Sequence, residues 1–532
     1  MLVFLVYLPF LDNPLVFDDL PFFPGVLGFA DLLFDLRIRW FPYVSLGFTA
    51  VFFGMDEPVF RLQNLLIHGM NVLLLLLLLR LWIGLFINNA DNARLANWGA
   101  WFGALVFACH PLAVYGVGYL IQRSILMATM FALVMQLAYL RGLLENKKRY
   151  MALAVGAYFL AVFSKEHSIM APAILLPLTW MIRARIQFRP PILWATWLGF
   201  ALVALLVMMR IKGLLGVAYE PDAASLFGQQ EMQNGLVAPH LLSVLTQAGL
   251  FFKYGLLMLI PNPAWMSIDM REPFILSYVD WASWLGLLAF IGYGVFALWC
   301  LLRGGRIGLL GIALIYPWLL FMTEFSTVRV QESFVLYRSY LWLPGTMLLW
   351  AVLVSFLPDR KIILAAGLAA LLLVPLAWNR LWVFADNYRL WDDAAKLLQG
   401  EDRLGAQRIY YNRALYAAEK KNWDSAITDY RKSLSLDASH PQVYMALASA
   451  YYGAKRYKEA LAELDRVIEQ NAMNARWHYS RGAVLKAMGD QSGAMKEMVR
   501  SCELGESIAC AIVSMSQLKK TSSSSVAPPR SP

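Results

Sequence analysis

Residues 62–86 read LQNLLIHGMNVLLLLLLLRLWIGLF, and almost all of them are apolar. A helix needs about 20 mostly apolar residues to cross the hydrocarbon core of a bilayer. The whole chain has a matching composition, because 59% of its 532 residues are hydrophobic and only 15% are charged. Soluble proteins average roughly 45–50% apolar and about 25% charged residues. The sequence therefore predicts an all-α protein whose larger part lies in a membrane.

Residues 1–385 contain a series of such apolar runs, which predicts a polytopic helix bundle of about eleven spans. Beyond residues 62–86 the clear runs are Trp98–Tyr119, Ser124–Leu140, Met151–Phe163, Ile169–Ile182, Ile192–Met209, Val279–Leu302, Leu309–Met322, Tyr340–Phe356 and Ile362–Val383. The first run, residues 1–10, is too short to cross at about 1.5 Å per residue. It is either a truncated first helix or the result of a misplaced start codon.

The orientation of the bundle follows from its short basic loops, because lysine and arginine in such loops mark the cytoplasmic side. The four basic clusters are Lys147-Lys148-Arg149, Arg183 with Arg185 and Arg189, Arg303 with Arg306, and Arg360-Lys361. All four are cytoplasmic only if residues 241–260 form an interfacial or re-entrant helix instead of a span. The N-terminus is then cytoplasmic, and everything after about Ala385 is outside. We expect a multi-pass protein of a bacterial inner membrane, with its active site and C-terminal part in the periplasm.

Charge and cysteine content narrow the class further. The formal net charge is +10, but the cytoplasmic loops account for basic residues in a membrane protein, so we expect no nucleic acid partner. Four cysteines are too few for a disulfide framework. Cys109 and Cys300 lie in apolar runs and are expected in the core, whereas Cys502 and Cys510 can pair in an oxidising compartment.

From about Arg403 the chain changes to amphipathic helices with regularly spaced small residues. Two columns of small residues recur every 34 positions, namely Ala414, Ala448 and Gly482, and Ala426, Ala460 and Ala494. Small residues at this period, where paired helices pack closely, resemble tetratricopeptide repeats. We expect three repeats over residues 404–516, stacked as one short solenoid. A linker over residues 386–403 precedes them, and a disordered tail over residues 517–532 follows.

The adjacent carboxylates Asp18 and Asp19 form the first candidate site. An ionised carboxylate at a bilayer surface is unfavourable unless it faces water, a partner or a reacting group. Two interpretations stay open for this pair. It either solvates a turn at the membrane exit or forms the catalytic part of a site at the membrane surface.

A polar stripe on the run at residues 62–86 forms the second candidate. Asn64, His68 and Asn71 recur at helical spacing on one face. Polar residues on a membrane helix are costly unless they meet partners, so this stripe is expected to face the protein interior. Hydrogen bonding between helices is the alternative explanation for each residue.

Further polar residues lie on the outer side of the predicted topology, and we expect them to share one pocket. They are Arg39, His110, Gln122, Arg123, Lys165, Glu166, Glu332, Tyr337 and Arg338. Arginine and lysine bind a phosphate and offset its charge as it leaves. A carboxylate takes the proton from an attacking hydroxyl. A transferase that acts on a lipid-linked phosphosugar needs this combination, although interfacial snorkelling also explains each basic residue alone.

The motifs Phe17-Asp18-Asp19, Phe60 to His68, His110-Pro111 with Gln122-Arg123, Lys165-Glu166 and Tyr337-Arg338 resemble those of membrane glycosyltransferases with the GT-C fold. The resemblance is greatest to the transmembrane and tetratricopeptide-repeat O-mannosyltransferases and their bacterial relatives. It covers nearly the whole chain, including the order of membrane part and repeats. The stretch Gln331-Glu332-Ser333-Phe334 departs from the plain Glu-Arg pair of that family.

The resemblance implies a glycosyltransferase that moves a sugar from a polyprenyl phosphate to a hydroxyl outside the cytoplasm, with inversion. The acceptor is then a Ser or Thr of a secreted protein recruited by the repeats, or a glycan or lipid. Asp18 would be the base, and Asp19 its neighbour or an acceptor contact. Contacts to the donor phosphate and sugar would come from Arg123, Lys165, Glu166, Tyr337 and Arg338.

No cofactor is predicted, because the six histidines are dispersed and no dense ligand cluster is present. A divalent ion shared by Asp18 and Asp19 is the one metal site left open. Two other functions also stay open. One is a membrane-anchored scaffold whose repeats bind a partner in cell-envelope assembly, and the other is a polymerase or ligase of surface polysaccharide.

Overall fold

The structure is a computed structural model, and it describes residues 2–33, 35–86, 90–183, 186, 190–211, 239–330, 332–354, 357–400 and 403–524. Within these ranges the regular elements are helices, and Met270 and Phe334 form an isolated antiparallel bridge. The predicted all-α class is therefore confirmed. The chain divides into two compact units, Met1–Leu397 and Leu398–Pro532.

The first unit is built from sixteen α-helices within the described ranges, joined by short 3₁₀ turns. They are α1 (Leu2–Tyr7), α2 (Asp19–Phe22), α3 (Trp40–Phe53), α4 (Glu57–Phe86), α5 (Ala90–Cys109), α6 (Val114–Val117), α7 (Arg123–Glu145), α8 (Lys148–Ser164), α9 (Leu175–Met181), α10 (Pro190–Ile211), α11 (Pro239–Leu259), α12 (Trp281–Arg303), α13 (Gly305–Phe321), α14 (Leu343–Val354), α15 (Asp359–Val383) and α16 (Asn387–Leu397).

Local chemistry explains several of the helix ends. The Asp280 side chain accepts a hydrogen bond from the Ala282 N–H at the start of α12, as an N-cap residue does. Gly304 ends the same helix with a φ of 67°, a conformation that glycine adopts without steric cost. Asn146 ends α7 in the left-handed region and allows the tight turn into α8.

In the described part of the chain, seven helices are long and apolar enough to cross a membrane, or eight if the bent pair at residues 97–117 counts as one span. About eleven were expected. Residues 166–182 form a 3₁₀ segment followed by the short α9, and α14 has 12 residues. These two segments, with α1 and the 17-residue α8, are the four predicted spans that fail the test. Helix α11 passes it although it was not predicted as a span, so eleven less four plus one gives eight.

Helix α11 passes the test of length and composition, but both of its ends lie at the same end of the unit. At its start, His240 Nε2 lies 2.6 Å from the carbonyl oxygen of Phe325, just after α13. Beyond its end, the Met266 carbonyl accepts a hydrogen bond from Arg380 in the last turn of α15. These contacts favour the interfacial interpretation of residues 241–260 over a span. We call the end that carries residues 120–123, 164–167 and 322–338 the cavity end.

The turns that hold the basic clusters lie at the opposite end. Gly304, between α12 and α13, lies beside Met181, which ends α9. Gly308 lies beside the ring of Phe86 at the end of α4. Arg185 and Arg189, which belong to one of the clusters, fall outside the described residues. The Arg183 that precedes them and Arg303 with Arg306 therefore share this end.

The polar stripe of α4 lies inside the first unit, while its other face is exposed. Asn64, His68 and Asn71 are fully buried. Exposed apolar residues alternate with them along the same helix, namely Leu62, Leu66, Met70, Leu73 and Leu77. A span surrounded by lipid on one side and protein on the other has this pattern.

The second unit contains helix pairs at the predicted period. Its helices are α17 (Ala406–Glu419), α18 (Trp423–Leu436), α19 (Pro441–Gly453), α20 (Tyr457–Gln470), α21 (Ala475–Ala487), α22 (Gln491–Glu503) and α23 (Ser507–Ser524). The two columns contain small residues because the helices of a pair pack closely there. A Cβ on Gly482 would lie 3.1 Å from the carbonyl oxygen of Ala494.

Two predicted boundaries differ from the structure. Helix α16 occupies most of the predicted linker at residues 386–403. Helix α23 continues to Ser524, past the start of the tail predicted for residues 517–532. Cys502 and Cys510 form a disulfide between α22 and α23, with a Cα–Cα distance of 4.6 Å. Cys109 and Cys300 are free and buried, as expected.

Candidate active site

A cavity of about 500 Å³ lies at the cavity end of the first unit. It brings together seven of the residues singled out in the sequence, namely Asp18, Arg39, Lys165, Glu166, Glu332, Tyr337 and Arg338. Its lining also has an apolar part, which comes from Ile169, Met170, Met208, Ile211 and Met322. The cavity therefore combines a charged wall with an apolar wall.

Asp18 is positioned by the residue before it. Phe17 has a φ of 48°, which is unusual for a residue other than glycine. Its ring lies between Tyr119 and Trp391, with ring centroids 6.4 and 5.5 Å away. The backbone N–H of Asp18 donates a hydrogen bond of 2.9 Å to the Tyr119 hydroxyl. These contacts hold Asp18 at the cavity.

Asp19 has a different environment from its neighbour. It is buried, and its carboxylate accepts hydrogen bonds from the backbone N–H groups of Ile121 at 2.8 Å and Leu120 at 3.1 Å. Burial raises the pKa of Asp19 to about 7, against the lowering effect of these two hydrogen bonds and of Arg61. Asp19 is absent from the cavity lining. It anchors the first loop to the turn before α7, and its predicted catalytic role stays a prediction.

Arg39 and Glu166 form a two-point ion pair across the mouth of the cavity. Arg39 Nε donates to Glu166 Oε2 at 2.9 Å, and Arg39 Nη2 binds the other carboxylate oxygen. Arg39 precedes α3 and has a φ of 64°, in the left-handed region. Burial raises the pKa of Glu166, but Arg39 and the adjacent His167 outweigh this effect and hold the pKa well below its usual range. Glu166 is therefore ionised, and its negative charge is paired with the Arg39 guanidinium.

Lys165 is the cation of the site without a close carboxylate partner. Its side chain is buried, and its Nζ lies 5.0 Å from the centre of the Tyr337 ring. Among the residues that the structure describes, no carboxylate forms an ion pair with it. Burial lowers the pKa of Lys165 well below its usual value, and the nearby cations Arg39, Arg338 and Arg329 lower it further. An anion in the cavity would stabilise the charged form of Lys165 and raise this pKa.

A second buried carboxylate, Glu324, lies behind the charged wall. Its Oε2 accepts a hydrogen bond from Arg338 at 2.8 Å and lies 3.2 Å from Arg329 Nε. Its Oε1 lies 3.3 Å from His167 Nε2. Arg329 and His167 also line the cavity. Glu324 therefore holds two cavity arginines without lining the cavity itself.

Arg123, predicted to contact the donor phosphate, is instead the centre of a buried network. Its guanidinium donates to Asn64 Oδ1 at 2.9 Å, to Thr49 Oγ1 at 3.1 Å and to the Phe60 carbonyl at 3.1 Å. Arg123 does not line the cavity. Its donors join α3, α4 and α7, because a buried guanidinium requires partners on every side. Arg123 is thus a structural residue of the bundle.

The remaining predicted pocket residues are also buried outside the cavity lining. Asn64 donates to the Leu120 carbonyl, and His68 Nδ1 lies 2.7 Å from the Tyr340 hydroxyl. His110 Nδ1 accepts a hydrogen bond from the Leu112 N–H and begins a 3₁₀ turn. Gln122 lies in the next turn before α7. Helix–helix hydrogen bonding, the alternative named for this stripe, accounts for Asn64 and His68.

Glu332 lines the cavity on a loop that α11 holds in place. The neighbouring Ser333 carbonyl accepts a hydrogen bond of 2.8 Å from Gln247. The Val335 N–H donates to the Tyr254 hydroxyl at 2.5 Å, and the rings of Tyr254 and Phe334 stack. Gln331, the other polar residue of this stretch, lies outside the described residues.

Sequence reasoning missed His167, Glu324 and Arg329 as site residues. A signal for Glu324 was present, because an acidic residue directly follows the apolar run that ends at Met322. Such a residue at a membrane boundary requires a partner. No metal-holding group of three or more histidines, cysteines or carboxylates occurs within the described ranges.

Comparisons with known proteins identify the repeats. Residues 417–484 match the tetratricopeptide repeat family. The crystal structure of yeast Tom70 matches with a TM-score of 0.20 and 12% identity, over 78% of this chain and 74% of that chain. The crystal structure of the APC/C heterotetramer Cut9–Hcn1 matches with a TM-score of 0.23 and 13% identity, over 80% of this chain and 90% of that chain. TM-scores this low do not establish a shared overall fold.

A search of curated proteins finds no match to this chain. The GT-C resemblance of the first unit therefore has no support beyond the motifs themselves. The comparisons thus show that the second unit contains tetratricopeptide repeats.

Proposed function

We propose that this chain is a membrane glycosyltransferase that moves a sugar from a polyprenyl phosphate to an acceptor hydroxyl outside the cytoplasm, with a protein Ser or Thr as the favoured acceptor. One observation carries this proposal. The carboxylate-bearing residue Asp18 lines the same cavity as the cations Lys165 and Arg338. A base and phosphate-binding cations in one cavity are what such a transfer requires.

The proposed reaction is a single displacement. The acceptor hydroxyl loses its proton to Asp18 as its oxygen attacks the anomeric carbon of the donor sugar. The bond between that carbon and the phosphate oxygen breaks, and the polyprenyl phosphate leaves with the electron pair. Lys165, Arg338 and Arg329 offset the negative charge that develops on the leaving phosphate. Attack from the face opposite the phosphate inverts the anomeric centre.

The apolar wall of the cavity fits the lipid part of this donor. Met170, Met208 and Ile211 line the same cavity as the cations. A polyprenyl chain needs an apolar path next to its charged head, and a free sugar nucleotide does not. This arrangement favours a lipid-linked donor over a soluble one.

The compartment is proposed from charge and from the path of the chain. The described basic clusters share the end opposite the cavity, so the positive-inside rule puts the cavity in the periplasm. Asn387 in α16 donates a hydrogen bond of 3.1 Å to the Leu15 carbonyl, so the chain leaves the first unit at the cavity end. The Cys502–Cys510 disulfide in the second unit fits an oxidising compartment as well. We therefore propose a bacterial inner-membrane protein whose repeats are periplasmic.

A second candidate function is supported by the repeats. Residues 417–484 match a repeat family, and repeat solenoids present extended surfaces for binding partners. A membrane-anchored scaffold for envelope assembly would use the repeats and would not need the cavity. In the proposed transferase the same repeats recruit the acceptor protein.

The test uses the purified full-length chain in lipid nanodiscs with radiolabelled polyprenyl-phosphate sugars and periplasmic protein extract. We expect label on protein with the wild-type chain and none with Asp18→Asn. Mass spectrometry of the periplasmic glycoproteome with and without the chain then identifies sugar and acceptor. Label that appears only on polysaccharide would favour a polymerase or ligase, and no label with any donor, together with stable capture of an envelope protein, would favour the scaffold.

A further inference from the structure

His167 lies between the two buried carboxylates of the charged wall. Its Nδ1 is 3.5 Å from Glu166 Oε1, and its Nε2 is 3.3 Å from Glu324 Oε1. The residue is buried, and it lies in the first turn of the 3₁₀ segment Glu166–Ile174 beside the cavity. Both ring nitrogens therefore lie within ion-pair distance of a carboxylate.

Each of these carboxylates holds a different part of the cation wall. Glu166 binds Arg39 through both oxygens. Glu324 binds Arg338 at 2.8 Å, with Arg329 Nε at 3.2 Å. Arg39 comes from the start of α3, whereas Arg338 comes from the loop before α14. The imidazole is the group through which these two clusters meet.

The ring has an electrostatic as well as a steric effect here. Without the ring, the carboxylates of Glu166 and Glu324 would face each other with no group between them. Only their arginines would then offset the repulsion between the two negative charges. Arg329 Nη2 also lies 3.4 Å from His167 Nε2, so the imidazole is in contact with both signs of charge. We therefore expect a substitution of His167 to change the positions of Arg39 and Arg338 together.

We infer that His167 is a positioning residue that couples Arg39 to Arg338, so that the two guanidinium groups bind the phosphate of the lipid-linked donor as one unit. This inference rests on the proposed function for the identity of the phosphate. The coupling itself follows from the chain of contacts Arg39, Glu166, His167, Glu324 and Arg338. Lys165 stands outside this chain, because its ammonium group lies over the Tyr337 ring.

The experiment measures binding separately from transfer. Full-length chains in nanodiscs are titrated with a short-chain polyprenyl phosphate that carries no sugar, so that no turnover is needed. We expect His167→Ala to weaken binding about tenfold or more and His167→Gln, which keeps a polar side chain of similar reach, to recover most of the affinity. The melting temperature of each variant reports on folding.

A mutant cycle tests the coupling directly. Arg39→Lys and Arg338→Lys keep the charge but lose the planar guanidinium geometry. We expect their effects on binding to be non-additive in the wild-type background and additive when combined with His167→Ala. Lys147→Met combined with Arg39→Lys is the control pair, because Lys147 lies outside the cavity lining, and its effects should be additive in both backgrounds.

Additive effects of Arg39→Lys and Arg338→Lys in the wild-type background would overturn the inference, and so would unchanged binding by His167→Ala. If His167→Ala does not fold, the wild-type cycle decides alone. A chain that transfers sugar but shows no coupling refutes the inference and leaves the proposed function standing. A chain that shows coupling in phosphate binding but transfers no sugar with any donor refutes the proposed function and leaves the coupling standing.

Discussion

Asp19 Oδ1 accepts a hydrogen bond of 2.8 Å from the backbone N–H of Ile121, 102 residues further along the chain. This bond ties the first loop to the turn before α7 and so fixes the position of Asp18 at the cavity. The adjacent side chains of Asp18 and Asp19 thus have different environments, since Asp18 lines the cavity and Asp19 binds the turn before α7.

Asp18→Asn is expected to lower sugar transfer by about 10²–10⁴-fold, because the amide cannot accept the proton of the acceptor hydroxyl. The backbone N–H of Asp18 can still donate to the Tyr119 hydroxyl in this variant, and the melting temperature reports whether the loop keeps its fold. Transfer is measured with labelled donor in nanodiscs. Asp12→Asn is the matched control, because Asp12 is an exposed aspartate of the same segment outside the cavity lining. Equal transfer by Asp18→Asn and wild type would remove the base from the mechanism.

Asp19 predicts a pH dependence of stability. The ordinary pKa of an aspartate is 3.8, and burial raises the pKa of Asp19 to about 7 in the folded chain. The folded state therefore binds more protons than the unfolded state between these values, and stability falls as the pH rises from about 4 to about 7. The full difference corresponds to roughly 4 kcal/mol.

Thermal unfolding of the detergent-solubilised chain over this pH range measures the effect. Asp19→Asn, which does not titrate, should flatten this part of the profile. An unchanged slope in Asp19→Asn would assign the pH dependence to other groups.

Lys165 predicts a pH dependence of donor binding. Burial and neighbouring cations hold its pKa well below the usual value, so binding a phosphodiester donor should be coupled to proton uptake. The affinity for the donor should fall as the pH rises, and Lys165→Arg should remove this fall, because arginine stays protonated. The readout is the donor KM as a function of pH.

Lys165→Met should raise the donor KM about tenfold or more at low pH, where the wild-type lysine is protonated, and by less as the pH rises, with a smaller effect on kcat. Lys147→Met is the control, because Lys147 lies in the turn between α7 and α8, away from the cavity lining. A pH profile of Lys165→Arg identical to that of the wild type would show that another group carries the titration.

The Cys502–Cys510 disulfide predicts a redox-dependent stability of the second unit. It closes a loop with a sequence separation of 8 residues, and a loop of this size contributes roughly 2–3 kcal/mol in the chain-entropy description. Reduction, or the Cys502→Ser substitution, should lower the unfolding temperature of the repeats by several degrees.

Mass-shift alkylation of intact cells checks the pairing. Cys502 and Cys510 should not react with maleimide before reduction and should react after it. The buried free thiols of Cys109 and Cys300 are the internal references, because reduction does not change them. Free thiols at both positions in freshly isolated protein would contradict the proposed periplasmic location of the repeats.

The parts of the fold that follow from periodic patterns could be predicted. The 34-residue spacing of Ala414, Ala448 and Gly482 identified the repeats, and at Gly482 a Cβ would lie 3.1 Å from the Ala494 carbonyl oxygen of the partner helix. Long apolar runs identified six of the seven helices that are long and apolar enough to cross a membrane. The seventh is α11, and its interfacial position stays a prediction from the placement of charge.

Periodic patterns could not predict which polar residues line the cavity and which are buried outside it. Asp18 and Asp19 have the same chemistry, and their burial is decided by Tyr119 and Ile121, about a hundred positions away. Arg123 was taken for a phosphate ligand because sequence shows its charge but not the Asn64 and Thr49 oxygens that satisfy it. Glu324 was missed because its partners only meet it after the bundle has formed.

The contact between Phe17 and Trp391 has a practical consequence for dissecting the molecule. Helix α16 lies between α15 and the repeats in sequence, yet its Trp391 is buried against the loop that carries Asp18. A truncation meant to remove the repeats must therefore keep the chain through Leu397. A cut before Asn387 would free the loop from its support, and loss of activity in such a shortened protein would say nothing about the repeats.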